Sequence, residues 1–306
     1  MSTGKVLLVG TVSNVASVLE NELKRVLSAL TYFSEVDVFL VESDSSDSTL
    51  QTLNSLSKTI PNFSYVTLGT LSPDIPNRIE RLRYCRNTYV NHIRGEYSKK
   101  NLSYVIVADL DGMNSKISEI GVSSCFQDEI VWDACFSNQL GGYSDIYALR
   151  CKDWQDGDCF AELHNKRTAF MNESNKHFFF KNLRSLLNRN KIRKSTIYSK
   201  MRRIPKSLPW IQVDSAFGGF GIYKSAIFFD HNYDSWDRTG ALVSEHVDLH
   251  LKIPDSKLYI NPALINAYWN TYNVNRFILI RYTRFLIRKS SIIRKILKLM
   301  ASNSYR

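Results

Sequence analysis

Two carboxylates one residue apart, Asp109 and Asp111, close the apolar run Val105-Ile106-Val107-Ala108. A buried strand that stops at Asp-x-Asp delivers two hard oxygen ligands to the crevice at its carboxyl end. Such ligands take Mg²⁺ or Mn²⁺ and leave coordination positions for phosphate oxygens, where the cation stabilises a departing diphosphate. Asp-x-Asp by itself also reads as two acids in an exposed loop, so its meaning depends on its surroundings. A second acidic strand end is Val41-Glu42-Ser43-Asp44. Projected on a helix, Ile79, Leu82, Tyr89 and Ile93 form an apolar stripe that contains Arg86, with Arg83 and Asn87 beside it. A guanidinium on a core-facing stripe needs an anionic partner, because burying it unpaired is costly. A diphosphate and a buried carboxylate both meet that need. Further on, Asp214 precedes Gly218-Gly219, and Glu245 stands beside His246. His246 and His250 are four apart, on one face if that stretch is a helix, and read either as a ligand or as ordinary surface residues.

The elements that must position these groups alternate over the first 110 residues. Strands are expected over 5–10, 36–41, 63–68 and 104–108. Helices are expected over 14–30, capped by Asn14, after the polar turn 42–48, and over 75–92. Three successive strand–helix units imply an α/β fold with a mostly parallel sheet flanked by helices. Beyond it, 131–136, 146–149 and 258–260 read as strands, and 160–203 as a helical, basic segment. There is no internal repeat and no proline-rich linker. The expected organisation is one catalytic domain over 1–272, with a basic helical insertion at about 160–207, and a basic helical tail over 273–306.

The 306 residues carry a formal net charge of +11, with 44% hydrophobic and 23% charged residues. These are globular values, and they exclude a collagen, a disulfide-stapled miniprotein and a wholly disordered chain. The longest apolar runs are too short to span a bilayer. The run from Lys5 to Gly10 reads as a strand, not as a secretory leader. Of the 40 Lys plus Arg, 21 fall in two stretches without any acid, 174–210 and 256–306, which leaves 19 against 29 acidic residues. A body of net −10 thus carries two basic appendages. From 278 onward Ile278, Tyr282, Phe285, Ile292, Ile293, Ile296 and Leu299 make an apolar stripe beside Arg281, Arg284, Arg288 and Lys295. Such a helix would lie in the interface of an anionic membrane or dock on the domain. Nucleic acid is the weaker alternative partner, since no nucleic-acid-binding motif accompanies the charge. The five cysteines show no C-x-x-C pair or zinc spacing and read as free thiols.

Taken in order, Glu42-Ser43-Asp44, Arg81-Leu82-Arg83-Tyr84-Cys85-Arg86-Asn87, Asp109-Leu110-Asp111, Phe217-Gly218-Gly219-Phe220-Gly221 and Ser244-Glu245-His246 resemble the GT-A glycosyltransferases. The likeness is to the branch with the Anp-type and capsule-associated mannosyltransferases and their bacterial relatives, and it covers roughly 5–270. It implies a Rossmann-like GT-A domain that moves a sugar from a nucleotide-sugar to a glycan or lipid-linked acceptor. In that resemblance Glu42 and Asp44 face the base and ribose, and Arg83 and Arg86 the diphosphate or donor sugar. Asp109 and Asp111 match the metal and nucleotide motif, for Mn²⁺ or Mg²⁺. Gly218 and Gly219 floor the sugar pocket, Asp214 orients a sugar hydroxyl, and Glu245 faces the acceptor as the base of an inverting reaction. Trp132 and Tyr147 flank the acceptor side, as cleft walls or as core aromatics. Many GT-A enzymes place a His after the last core strand as a third metal ligand. Here that stretch has none, and His246, His250 or Asn266 would substitute, or two protein ligands would suffice.

A cytoplasmic enzyme, peripheral on the inner face of a bacterial membrane and building surface polysaccharide such as lipopolysaccharide, follows as an expectation. A metal-dependent nucleotidyltransferase or phosphohydrolase would use the same acidic strand end. A non-enzymatic basic membrane- or nucleic-acid-binding protein would not need Asp109 or Asp111.

Overall fold

The computed structural model describes residues 4–99, 101–127, 129–174, 191–236, 240 and 242–268. The tail over 273–306 and the middle of the basic insertion lie outside the described residues. The chain separates into one compact unit, Met1–Tyr268, and a second, Trp269–Arg306.

The strands are β1 (Lys5–Val12), β2 (Glu35–Glu42), β3 (Phe63–Thr67), β4 (Tyr104–Ala108), β5 (Ala134–Leu140), β6 (Ile211–Val213), β7 (Phe220–Lys224) and β8 (Leu258–Tyr268). They form one 8-stranded sheet in the order β3-β2-β1-β4-β7-β5-β8-β6. β1 to β4 pair in parallel. β7 runs antiparallel to both β4 and β5, β8 runs parallel to β5, and β6 runs antiparallel to β8. All strands except β6 and β7 therefore share one direction, the mostly parallel α/β sheet expected.

The helices are α1 (Leu19–Ala29), α2 (Thr49–Thr59), α3 (Arg78–Glu96), α4 (Glu119–Ser123), α5 (Cys159–Ser174), α6 (191–196), α7 (Ala226–Asp230) and α8 (Glu245–Leu251). Both faces of the sheet are covered, which is why β1 and β4 are apolar at successive positions instead of alternate ones. Leu7, Val9, Val105 and Val107 share one core with Tyr89, Val90 and Ile93 of α3 and Phe228 of α7. Val6, Leu8, Ile106 and Ala108 share the other with Leu19, Leu23 and Val26 of α1 and Leu53 and Leu56 of α2. All five cysteines are buried free thiols.

Four local expectations are corrected. The first helix begins at Leu19, not at Asn14. Asn14 adopts φ 56°, a left-handed conformation that Asn tolerates, and its Oδ1 accepts from the Ser46 backbone at 2.8 Å, so it braces the loop after β2 instead of capping. The stretch 146–149 is a turn, with Asp145 Oδ1 accepting from the Ala148 backbone at 3.3 Å. The last strand continues past Pro262 to Tyr268; the register shift between Phe136 and Asn138 on β5 accommodates the proline. The basic segment is not helical throughout: among the described residues 201–210, with Pro205 and Pro209, is irregular.

Candidate active site

A cleft of about 570 Å³ opens at the carboxyl ends of β1, β2 and β4. Thr11, Val12 and Ser13 line one end with Ser43 and Asp44, and Asp109 to Asp111 form the floor. The first turns of α3 supply Arg78, Arg81 and Arg86, and α8 supplies Glu245 and His246. The far wall is Asp145, Tyr147, Phe160 and Arg193. Asn77 caps α3 by accepting from the Ile79 backbone at 2.9 Å.

Arg86 joins the floor to α8. Its side chain is 3% exposed; Nε donates to Glu245 Oε1 at 3.0 Å and Nη2 to Asp109 Oδ1 at 3.5 Å. Phe217 and Tyr233 lie against the guanidinium at 5.5 and 5.7 Å from their ring centres. Burial opposes the charge, but Tyr89, Glu245 and Asp109 outweigh it and keep Arg86 protonated. Of the two partners left open by the sequence, the buried carboxylate is present.

Asp109 is held by its backbone, whose N–H donates to Gly219 O at 2.9 Å. The loop that follows is pinned from α1. Glu22 accepts from the Gly112 backbone at 2.5 Å and from the Asn114 backbone at 2.6 Å, and Asn114 Nδ2 returns to Asp109 O at 2.6 Å. Desolvation pushes the Asp109 carboxyl up to about 7; Arg86 pulls it down, while Asp111, Asp145 and Glu245 push it further up. Asp109, Asp145 and Glu245 thus share one buried guanidinium, with Asp111 adding its charge beside Asp109.

That surplus of negative charge is what a divalent cation relieves. Among the described residues no three His, Cys, Asp or Glu side chains converge into a preformed metal site. Asp109 and Asp111 fit a cation that draws its remaining ligands from phosphate oxygens and water. His246 lines the same cleft but, among the described residues, does not form a three-residue cluster with them. Its ring stacks on Phe217 at 3.9 Å and 20°.

The other expected site residues divide. Asp44 lines the cleft at φ 58°, accepting from the Ser72 backbone at 2.8 Å, with Arg81 Nε at 3.5 Å from Oδ2. Burial raises its pKa, but the Ser72 bonds and Arg81 outweigh that and leave it below the ordinary carboxylate value. Glu42 lies behind the cleft wall. It accepts from Thr67 Oγ1 at 2.5 Å and from the Ser45 backbone at 3.0 Å, so it shapes the loop that presents Asp44. Arg83 does not line the cleft, and its Nε is buried without a partner among the described residues.

Gly218 and Gly219 have φ +74° and +88°, but they do not floor an open pocket. A Cβ on Gly218 would stand 2.7 Å from Gln139 Nε2, and its carbonyl accepts from Gln139 and Asn266 at 2.8 Å each. The Gly218 N–H donates to Asp145 Oδ2 at 3.1 Å. The pair is a packed turn linking Asp109 to Asp145. Asn266 belongs to its buried network and does not line the cleft. Asp214 is exposed and outside the cleft. His250 is in the core, with Nδ1 2.8 Å from Ser215 Oγ and Nε2 3.1 Å from Tyr223 Oη. Trp132 is a core residue donating to Cys125 O at 2.8 Å, whereas Tyr147 lines the cleft, packed on Phe160.

Glu22, Asp145, Arg78 and Arg193 escaped the sequence reading. Only Glu22 carried a signal: it interrupts the apolar stripe of α1 between Leu19 and Leu23, as Arg86 interrupts that of α3.

No protein-family model matches the chain, and no curated protein matches it. Among solved structures it is similar to the mannosyltransferase PcManGT from Pyrobaculum calidifontis in complex with GDP-Man and Mn²⁺, at 12% identity and TM-score 0.48, over 94% of this chain and 65% of that one. It is similar to S. aureus TarS 1-349 at 14% identity and TM-score 0.43, over 90% of this chain and 64% of that one. It is also similar to 4-diphosphocytidyl-2C-methyl-D-erythritol synthase from Anaerococcus prevotii DSM 20548 at 11% identity and TM-score 0.41, over 92% and 96%. The chain spans under two thirds of the first two.

Proposed function

We propose that this chain is a nucleotide-sugar-dependent glycosyltransferase. One observation carries the reading: a single cleft at the strand ends is lined by Asp109, Asp111, Asp145 and Glu245 together with buried Arg86, which pairs with Asp109 and Glu245. Asp44, with Thr11 and Ser13, offers hydroxyls and a carboxylate suited to ribose and base. Asp109 and Asp111 would hold Mn²⁺ or Mg²⁺, whose chemistry is to stabilise negative charge on a leaving diphosphate. Arg78 and Arg81 add positive charge at the cleft mouth, where they favour a diphosphate. Tyr147 and Phe160 offer an aromatic wall to a sugar ring. In the inverting form of the reaction, the acceptor oxygen bonds to the anomeric carbon as the bond to the diphosphate breaks. The hydroxyl proton passes to Glu245, which Arg86 orients.

The acceptor in this reading is a glycan or a lipid-linked glycan, and the setting surface-polysaccharide synthesis at the cytoplasmic face of a membrane. The support is the basic amphipathic pattern of the tail over 273–306. No described helix is long and apolar enough to cross a membrane. Deleting 275–306 is expected to abolish flotation with anionic vesicles while leaving donor binding intact.

A panel of nucleotide-sugars with Mn²⁺ tests the activity. The expected products are a glycoside, or free sugar from slow hydrolysis, and a nucleoside diphosphate. Pyrophosphate or orthophosphate as the product would favour the nucleotidyltransferase or phosphohydrolase reading.

A further inference from the structure

Among the described residues, His246 is the buried side chain of the cleft whose polar atoms all lack a hydrogen-bond partner. Its side chain is 3% exposed, it lines the cleft, and neither Nδ1 nor Nε2 has a hydrogen-bond partner. Leaving buried polar atoms unpaired costs free energy, and a bound group that pairs them recovers it. The ring is not free to turn away. Phe217 is stacked on it, Tyr233 meets it edge-on at 5.6 Å, and His250 lies beyond at 5.9 Å. The charged neighbours are Arg86 and Glu245, the latter 4.0 Å from Nε2. Burial first, then Arg86 and His250, push the imidazole well below its usual pKa, so it is neutral.

A neutral imidazole offers one N–H donor and one lone-pair acceptor. An anion would satisfy only the first and a cation only the second; a hydroxyl satisfies either. Glu245, 4.0 Å from the ring, is bonded to Arg86, which reaches Asp109, where the diphosphate is expected, so the sugar attached to that diphosphate is the part of the ligand that would bring hydroxyls to His246.

Resting on the glycosyltransferase reading, we propose that His246 is a positioning residue that recognises a hydroxyl of the donor sugar. It is not a metal ligand, and it is separate from the group that takes the acceptor proton.

The test compares binding of a nucleoside diphosphate with binding of its nucleotide-sugar, both with Mn²⁺, across a UDP and GDP panel. The full chain is used as wild type, His246→Phe and His246→Gln. Phe fills the aromatic slot without polar atoms, and Gln retains a donor and an acceptor. Wild type is expected to bind the nucleotide-sugar more tightly than the bare diphosphate. His246→Phe should lose about tenfold of affinity for the nucleotide-sugar and none for the nucleoside diphosphate, and His246→Gln should recover part of the loss. Equal weakening of both ligands by His246→Phe, or no weakening of either, overturns the assignment. Loss of Mn²⁺ binding alone in His246→Phe overturns it in favour of a metal ligand. Failure of wild type to bind any nucleotide-sugar overturns the glycosyltransferase reading and this assignment with it.

Discussion

Arg86 is buried among aromatic rings and bonded to two carboxylates, so its removal leaves Glu245 in the interior without its cation. Breaking one side of a buried pair is worth about 3–5 kcal/mol, whereas neutralising the acid keeps a hydrogen bond. Arg86→Met should therefore lower the urea midpoint far more than Glu245→Gln, while both suppress turnover. Equal midpoints would mean that the pair is not held as described. Arg86 was legible because a guanidinium interrupted an apolar stripe, and its partner was undecided because one sequence does not say which acid faces it. Asp109 and Asp111 were legible for the same kind of reason, standing at the end of an apolar strand. Asp145 was not. It follows Gly141-Gly142-Tyr143-Ser144 in a turn with no periodicity, and only the tertiary fold brings it beside Gly218.

At the scale of elements, the floor depends on two supports. The Gly218-Gly219 turn is one, and a side chain at Gly218 meets both a positive φ and a 2.7 Å contact. Gly69 has φ +66° and nothing within 4 Å of its Cβ position. The conformational cost alone is about 1–2 kcal/mol. Gly69→Ala should cost about that much in thermal unfolding, and Gly218→Ala clearly more, with loss of donor binding. The second support is Glu22 of α1 under the loop after Asp111. Glu22→Gln keeps the size of the side chain but replaces one acceptor oxygen with a donor facing backbone N–H groups. It should weaken Mn²⁺-dependent nucleotide binding without touching the cleft, readable by calorimetry; unchanged binding would show that the loop holds itself. The parallel half of the sheet was legible from alternating strand and helix patterns. The later elements were not, because Pro262 looks like a strand end and a bulge absorbs it, and because the apolar stretch 146–149 is buried without pairing as a strand.

Over the whole molecule, the chemistry sits at the carboxyl ends of the central strands, and a buried titratable ring, His250, lies behind it in the core. His250 is buried, bonded to Ser215 and Tyr223, and desolvation lowers it to about 3. The unfolded chain takes up that proton near 6.5, so the His250 contribution is complete above 6.5 and is lost as pH falls toward 3. Each unit in that window is worth about 1.4 kcal/mol. Wild type should therefore lose about 2 kcal/mol more than His250→Phe between pH 7.5 and 5 in urea unfolding. Parallel pH dependences would contradict a buried neutral imidazole. The charge split was legible at this scale from the counts alone, a net acidic body with two basic appendages, although what the tail touches rests on its pattern.

The central claim is that Asp109 and Asp111 bind a cation together with a nucleotide-sugar's diphosphate. Thermal unfolding of wild type and Asp109→Asn with a nucleotide-sugar panel, each with and without Mn²⁺, tests it most directly. A ligand at 100 times its dissociation constant stabilises by about 2.7 kcal/mol. The account predicts that stabilisation only for wild type with both Mn²⁺ and a nucleotide-sugar present. Stabilisation of the same size without Mn²⁺, or undiminished in Asp109→Asn, would contradict it.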